Sequence, residues 1–148
     1  MAKRMQANVE IINQTRACAI KDRRLSNISK LLLHKMGMQA AQLNVYLVGA
    51  ARIKSLKKQF FNIDAVTDVL SFPYMKKAEK NLPWILGEIV ICVPVAAKQA
   101  KTLAITLEQQ LIRLLAHGLV HLSGLDHEKN SREYKKFHNQ EIKLLKGV

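Results

Sequence analysis

Three histidines in the segment HGLVHLSGLDH are the residues whose types and spacing most directly indicate chemistry. His117 and His121 are four residues apart, so on a helix they project from the same face, one turn from each other. Gly124 can end that helix in a left-handed conformation, and the following turn can bring His127 back toward the other two. Three imidazoles without a fourth protein ligand in the motif predict a metal site with an open position for water or substrate.

The spacing is also that of the extended zinc-protease signature, H-E-x-x-H-x-x-G-x-x-H, with one difference. The protease needs a Glu beside the first histidine as the general base for the metal-bound water. This chain has Gly118 at that position, which offers no side chain to accept a proton. The motif therefore predicts a metal site but disfavours hydrolysis of a peptide. A metallohydrolase that acts on a peptide or small molecule is accordingly a weaker hypothesis than the two RNA-related functions described below.

The charge of the chain indicates a polyanionic partner. Among 148 residues, 24 Lys and Arg stand against 11 Asp and Glu, which gives a net charge of +13. This excess of positive charge favours nucleic acid as the partner first and an acidic membrane second. The alternative is a basic surface that is simply solvated and binds no partner. The cations are dispersed, which suits a surface assembled by folding better than a flexible arm. They fall in five segments, Lys3 and Arg4, Lys21 to Arg24, Arg52 to Lys58, Lys76 to Lys80, and Lys129 to Lys136.

Composition predicts one globular domain over residues 1–148. An apolar content of 49% with 24% charged residues is typical of a folded chain, and this length is sufficient for a core without disulfides. Cys18 and Cys92 form no disulfide framework and are expected to be small buried residues. No apolar run is long enough to span a bilayer, and the first residues do not form a secretory signal, so we expect a cytoplasmic protein.

Hydrophobic periodicity predicts an α/β (α+β) fold: a single domain with about four strands in one mixed sheet and four to six helices. The histidines are expected on one of these helices, capped by Thr106. Leu86 to Val93 is the most apolar strand and is placed centrally in the sheet. The other predicted strands are Val9 to Ile12, Gln42 to Ala50 and Thr67 to Phe72, and the other helices are Asp22 to Met36, Ala51 to Phe60, Pro94 to about Leu103 and Ser131 to Lys146, with a loop or hairpin from Lys76 to Leu82.

Three segments together resemble the YbeY family of metal-dependent endoribonucleases. They are TDVLSFPY (Thr67 to Tyr74), LGEIVIC (Leu86 to Cys92) and HGLVHLSGLDH (His117 to His127). The resemblance implies that the three histidines bind one Zn²⁺ per chain on a zinc-hydrolase-like metal helix. It also implies single-strand-specific cleavage of RNA in ribosomal RNA maturation, at the 3′ end of 16S rRNA, and in ribosome quality control. The expected partners are single-stranded RNA, ribosomal RNA and the ribosome or its small subunit, with no membrane; the oligomeric state stays open.

Two acidic residues are the tentative catalytic candidates. Glu88 stands where family members usually carry Asp in a GDI segment, and it is placed to approach the metal-bound water or to pair with a nearby cation. Asp126 precedes the third histidine, where it either orients an imidazole as a hydrogen-bond partner or caps the following turn.

The chain departs from the family at one position. Family members carry an arginine, thought to be important for catalysis, six residues before the Thr of the T-D/N-V-L-S-F motif, and counting back from Thr67 gives Phe61. A phenyl ring cannot donate hydrogen bonds to a phosphate or neutralise developing charge. The candidate substitutes are Arg52, Lys57 and Lys58, unless they are solvated charges. The second hypothesis is therefore a ribosome-associated RNA-binding factor that retains a metal and cuts weakly.

Overall fold

The fold alternates strands and helices in the order that the sequence predicts. The computed structural model describes residues 7–15, 21–74, 84–125, 127–128 and 130–148. Within these ranges four strands form one mixed sheet with five helices, which confirms the predicted α/β class. The elements are β1 (Asn8–Asn13), α1 (Asp22–Lys35), β2 (Ala41–Val48), α2 (Ala50–Phe61), β3 (Val69–Pro73), β4 (Trp84–Cys92), α3 (Val93–Leu103), α4 (Leu107–Leu122) and α5 (Ser131–Leu145).

The sheet has the strand order β1-β2-β4-β3. β2 pairs in parallel with both β1 and β4, whereas β3 runs antiparallel to β4 at the edge. The apolar strand predicted to be central is therefore central, because β4 has a neighbour on both sides. The predicted loop or hairpin from Lys76 to Leu82 lies outside the described residues.

The two faces of the sheet bury different sets of helices, because successive residues of a strand point to opposite sides. Ile89 and Ile91 of β4 join the larger core, which α1, α4 and α5 cover. Val90 and Cys92 join a smaller cluster with Ile53 of α2. Burial raises the pKa of the Cys92 thiol, as expected for a small buried residue. Cys18 lies outside the described residues.

Helix α4 begins at a capping box, as Thr106 predicts. The Thr106 hydroxyl accepts from the backbone N–H of Gln109 at 3.1 Å, and the Gln109 side chain accepts from the backbone N–H of Thr106 at 2.9 Å. A cap of this kind stabilises a helix by about 1 kcal/mol. Leu111 and Leu115 are completely buried below it, so α4 is anchored before it reaches the histidines. None of the helices in the described ranges has both the length and the apolar composition needed to cross a bilayer.

Gly118 lies where α4 packs closely against β4 of the sheet. A Cβ atom built on Gly118 would stand 3.0 Å from two side-chain carbons of Ile89, which is completely buried. The Ser71 hydroxyl of β3 donates to the Gly118 carbonyl at 3.3 Å. The position that carries the general base in zinc proteases therefore faces the sheet here and has no room for a glutamate.

We expect Gly118→Ala to lower the free energy of unfolding by about 1–3 kcal/mol, because the added methyl group must displace the packed Ile89 side chain. The control is Gly49→Ala, at the N-cap of α2, where an added Cβ meets nothing within 4 Å. That change is expected to cost less than about 1 kcal/mol. Urea titrations of both variants measure the difference, and equal stabilities would contradict the close contact.

Candidate metal centre

The three histidines converge at the end of α4, as their spacing predicts. His117 and His121 occupy the last two turns of the helix, and Ser123 is its C-cap. Gly124 follows with φ of +97°, a conformation that favours glycine, and the chain then turns so that His127 faces the helix. One ring nitrogen from each histidine lies within 4.8 Å of the corresponding nitrogens of the other two.

The separation of the first two of these nitrogens matches that of two ligands on a tetrahedral metal ion. Two imidazole nitrogens bound to one Zn²⁺ at about 2.0–2.1 Å stand about 3.4 Å apart in tetrahedral geometry. The Nε2 atoms of His117 and His121 are 3.2 Å apart. Neutral imidazole nitrogens are the ligands of borderline metals such as zinc, nickel and copper. The donor set therefore suits the metal that the family resemblance implies, and among the described residues the cluster consists of these three histidines.

Phe137 of α5 forms an apolar wall behind the three histidines. Its completely buried ring lies 4.7–5.1 Å, between centroids, from all three imidazoles, and it stacks on His127 with an interplanar angle of 29°. Rings packed this closely cannot turn without displacing Phe137. The wall therefore restricts the imidazole orientations from the side away from the cavity.

Glu141, one turn after Phe137 on α5, holds the first histidine by its other nitrogen. Its Oε2 lies 3.0 Å from Nδ1 of His117, while Oε1 lies 3.3 Å from Nδ1 of His138. A carboxylate only accepts hydrogen bonds, so Nδ1 of His117 carries the proton and the Nε2 lone pair is directed toward the other two histidines. Partners of this kind fix the tautomer of a metal-binding histidine and raise its basicity.

The histidines open onto a cavity of about 500 Å³. Its walls come from the end of α2, the segment before β3 and β3 itself, opposite α4. We call this cavity the metal cleft. Lys57 and Phe61 of α2 line it together with His117, His121 and His127.

The motif TDVLS positions the wall of the metal cleft. Asp68 Oδ1 accepts from the backbone N–H of Val69 at 2.8 Å, and Oδ2 accepts from Gln99 of α3 at 3.1 Å. Ser71, two residues further along in β3, donates its hydroxyl to the carbonyl of Gly118. These bonds tie β3 to α3 and α4, so the polar residues of the motif have a structural function. Asp68 also lines the cleft itself, a position that the sequence analysis did not assign.

The structure does not bring Glu88 to the metal cleft, which corrects the expectation that its carboxylate approaches a metal-bound water. Glu88 pairs with Phe72 across β4 and β3, and its side chain lies on the α2 face of the sheet. There it accepts a hydrogen bond from the Tyr74 hydroxyl at 3.2 Å. The reason is strand alternation, because Glu88 shares the face of Val90 while Ile89 faces α4. Asp126 lies outside the described residues, so its role stays a prediction.

The structure also separates the three candidate cations. Lys57 lines the metal cleft, Arg52 lines a different cavity on the α2 face, and Lys58 lines neither of the two. Phe61 is half-exposed in the metal cleft and contacts Phe72, with ring centroids 5.7 Å apart. Lys57 is therefore the described cation best placed to compensate for the missing arginine.

Comparisons with known proteins agree with the motifs. The family model described as Endoribonuclease YbeY matches residues 10–148. A curated relative of that name from Aquifex aeolicus is 37% identical over 126 residues, covering 85% of this chain and 83% of its own length. The Thermus thermophilus relative of the same name is 32% identical over 93% of this chain and 98% of its own. A solution structure of a Thermotoga maritima protein matches with a TM-score of 0.59 at 27% identity, covering 92% of this chain and 88% of that one.

We expect Glu141→Gln to weaken Zn²⁺ binding about 10–100-fold, because the amide no longer offers a charged acceptor to the first histidine. Competition against a chromophoric chelator measures the affinity. Glu133→Gln is the matched control, because Glu133 is on the same helix but pairs with Lys136, and it should leave the affinity unchanged.

His121→Ala should reduce the metal content well below one ion per chain, and full loading of that variant would rule out the site.

Proposed function

The chain belongs to the endoribonuclease YbeY family, and from this premise we propose that it is a zinc-dependent endoribonuclease that cleaves single-stranded RNA. We further propose that it acts in the cytoplasm in ribosomal RNA maturation, at the 3′ end of 16S rRNA, and in ribosome quality control. The observation that carries the proposal is the three-histidine cluster that opens onto the metal cleft. Its partners would then be ribosomal RNA and the ribosome or its small subunit.

The residues of this chain fit hydrolysis of a phosphodiester. When bound, a metal ion lowers the pKa of its water toward neutrality and polarises a phosphoryl oxygen. The chain contributes the orientation of the ligands, through the hydrogen bond from His117 to Glu141 and the packing of Phe137. Lys57 supplies positive charge on the opposite wall, where negative charge develops on the phosphoryl oxygens.

The dimensions and charge of the site suit a single strand. A cavity of about 500 Å³ is in the range of sites that take one small ligand, which corresponds to a nucleotide and not to a duplex. The net charge of +13 attracts the phosphate backbone without regard to sequence. Peptide hydrolysis is not supported, because Gly118 faces Ile89 and leaves no place for the base that a zinc peptidase requires.

A binding factor that cuts weakly is the second candidate, and Phe61 is the observation in its favour. It is not favoured by the family to which the chain belongs, since the curated relatives are named as endoribonucleases. Lys57 also lines the same cleft, so a positive charge is present there although the family arginine is missing.

We expect the zinc-loaded protein to cut a labelled single-stranded RNA and to leave the same sequence intact as a duplex. A chelator should abolish cleavage and added Zn²⁺ should restore it, because the ion held by the three histidines would activate the attacking water. Gel analysis of the products measures both effects. His121→Ala serves as the inactive control, and cleavage by that variant at the wild-type rate would assign the activity to a contaminant.

We expect Lys57→Gln to slow RNA cleavage about 10–100-fold, because a cation placed beside the developing negative charge contributes about 1.4–2.7 kcal/mol to the transition state. Lys58→Gln is the matched control, since Lys58 is the next residue of α2 and lines neither cavity. It should change the rate less than twofold. Single-turnover rates separate this effect from RNA binding, and equal losses in the two variants would exclude a specific role for Lys57.

A further inference from the structure

A second cavity of about 460 Å³ lies on the α2 face of the sheet, the face opposite the histidines. We call it the second cleft. Val48 and Val90 line it from the sheet, and Phe60 and Phe72 line it from α2 and β3. Glu88 and Arg52 are the charged residues in its lining. The cavity thus combines an apolar floor, aromatic walls and charges of both signs, which is the composition of a ligand site.

The second cleft adjoins the metal cleft across the end of α2. Phe60 lines the second cleft, whereas its neighbour Phe61 lines the metal cleft. The ring of Phe72 packs between them, at centroid distances of 5.2 Å from Phe60 and 5.7 Å from Phe61. Phe60 is 58% exposed and Phe61 47% exposed, so both present aromatic surface on which bases can stack. A strand that leaves the metal cleft over these rings arrives at the second cleft.

The polar groups of the second cleft define what a ligand must offer. The carboxylate of Glu88 only accepts hydrogen bonds, and the Tyr74 hydroxyl is already a donor to it at 3.2 Å. The charge of Glu88 raises the pKa of Tyr74, and burial together with Glu88 raises the pKa of Tyr46. Both phenols therefore stay protonated at neutral pH. Arg52 on the rim offers its guanidinium to a phosphate.

We propose that the second cleft binds the base of a nucleotide close to the cleaved phosphate and that it selects guanine through Glu88. Guanine carries two adjacent donors, N1–H and the 2-amino group, which match the two oxygens of one carboxylate. Adenine and cytosine place an acceptor beside their amino group, and uracil has one N–H between two carbonyl oxygens. Only guanine among the four bases therefore makes the paired contact. The choice of RNA as ligand rests on the proposed function.

A protein segment is the competing occupant, because an arginine side chain also presents two parallel donors to a carboxylate. The position of the second cleft beside the metal cleft and the exposed rings of Phe60 and Phe61 favour the base, since these rings stack on any nucleobase. A peptide segment would not gain this stacking, and its binding would not require a position next to the histidines.

The test uses 5′-GMP and 5′-IMP as probes and the full chain as the protein. Inosine differs from guanosine only by the absent 2-amino group, so it retains one of the two donors. We expect IMP to bind about tenfold more weakly than GMP, as for one charge-assisted hydrogen bond in a partly exposed site. Chemical shifts of the backbone amides of Tyr46 and Val90 locate the ligand and give its affinity.

Glu88→Gln should abolish the preference for GMP over IMP, because the amide presents one acceptor and one donor in place of two acceptors. Glu10→Gln is the matched control. Glu10 is an exposed carboxylate near Tyr46 but does not line the second cleft, and its loss should leave the tenfold preference intact. Melting curves of the two variants confirm that both are folded, and the comparison of GMP with IMP on the wild type does not depend on either substitution.

Equal binding of GMP and IMP, or a preference that survives in Glu88→Gln, would overturn the proposal. Binding of an arginine-rich peptide in place of the nucleotides, dependent on Glu88, would overturn it in favour of a protein partner. The measurements are made in the presence of chelator and require no cleavage. Selective GMP binding therefore supports the second cleft even if the RNA cleavage assay fails, and absence of GMP binding overturns it even if the assay succeeds.

Discussion

The contact between Gly118 and Ile89 determines where the two helical ligands of the candidate metal site, His117 and His121, point. Because the helix carries no side chain at Gly118, α4 packs directly on β4. This contact fixes the rotation of the helix about its axis, and with it the direction of the neighbouring face, about 100° away. His117 and His121 belong to that neighbouring face, so their direction toward β3 and α5 follows from the packing of the helix. The hydrogen bond from Ser71 to the Gly118 carbonyl joins β3 to the same point. Sheet, helix and cleft wall thus meet at one residue.

The C-terminal helix completes the site from the side opposite the cleft. Phe137 packs against all three imidazoles, and Glu141 binds the outer nitrogen of the first. The contribution of α5 is therefore to the orientation of the ligands, since none of the three ligands belongs to it. A metal that binds the folded protein and not the unfolded chain stabilises every contact on which its site depends. Docking of α5 and loading of the metal are consequently linked in free energy.

The predictable parts of this structure are those that depend on residues close together in the sequence. The histidine set follows from an interval of four residues and a glycine turn, and the start of α4 follows from the reciprocal pair of Thr106 and Gln109. Glu88 was misplaced because β4 is apolar on both faces, so its alternation does not reveal which face meets α4. Glu141 was missed because its partner is 24 residues away and the two helices must first pack. Its only sequence signal is the four-residue interval from Phe137, which puts both on one face of α5.

Helix α2 serves two cavities with two stripes of side chains. Leu56 and Phe60, four residues apart, line the second cleft, whereas Lys57 and Phe61, displaced by one position, line the metal cleft. One residue corresponds to a rotation of about 100°. Ile53 is the completely buried residue that holds the helix against the sheet. A single-residue insertion between Ile53 and Leu56 would therefore turn Leu56 and Phe60 toward the metal cleft, and a deletion there would turn Lys57 and Phe61 toward the second cleft. Either change would alter the lining of both cavities at once.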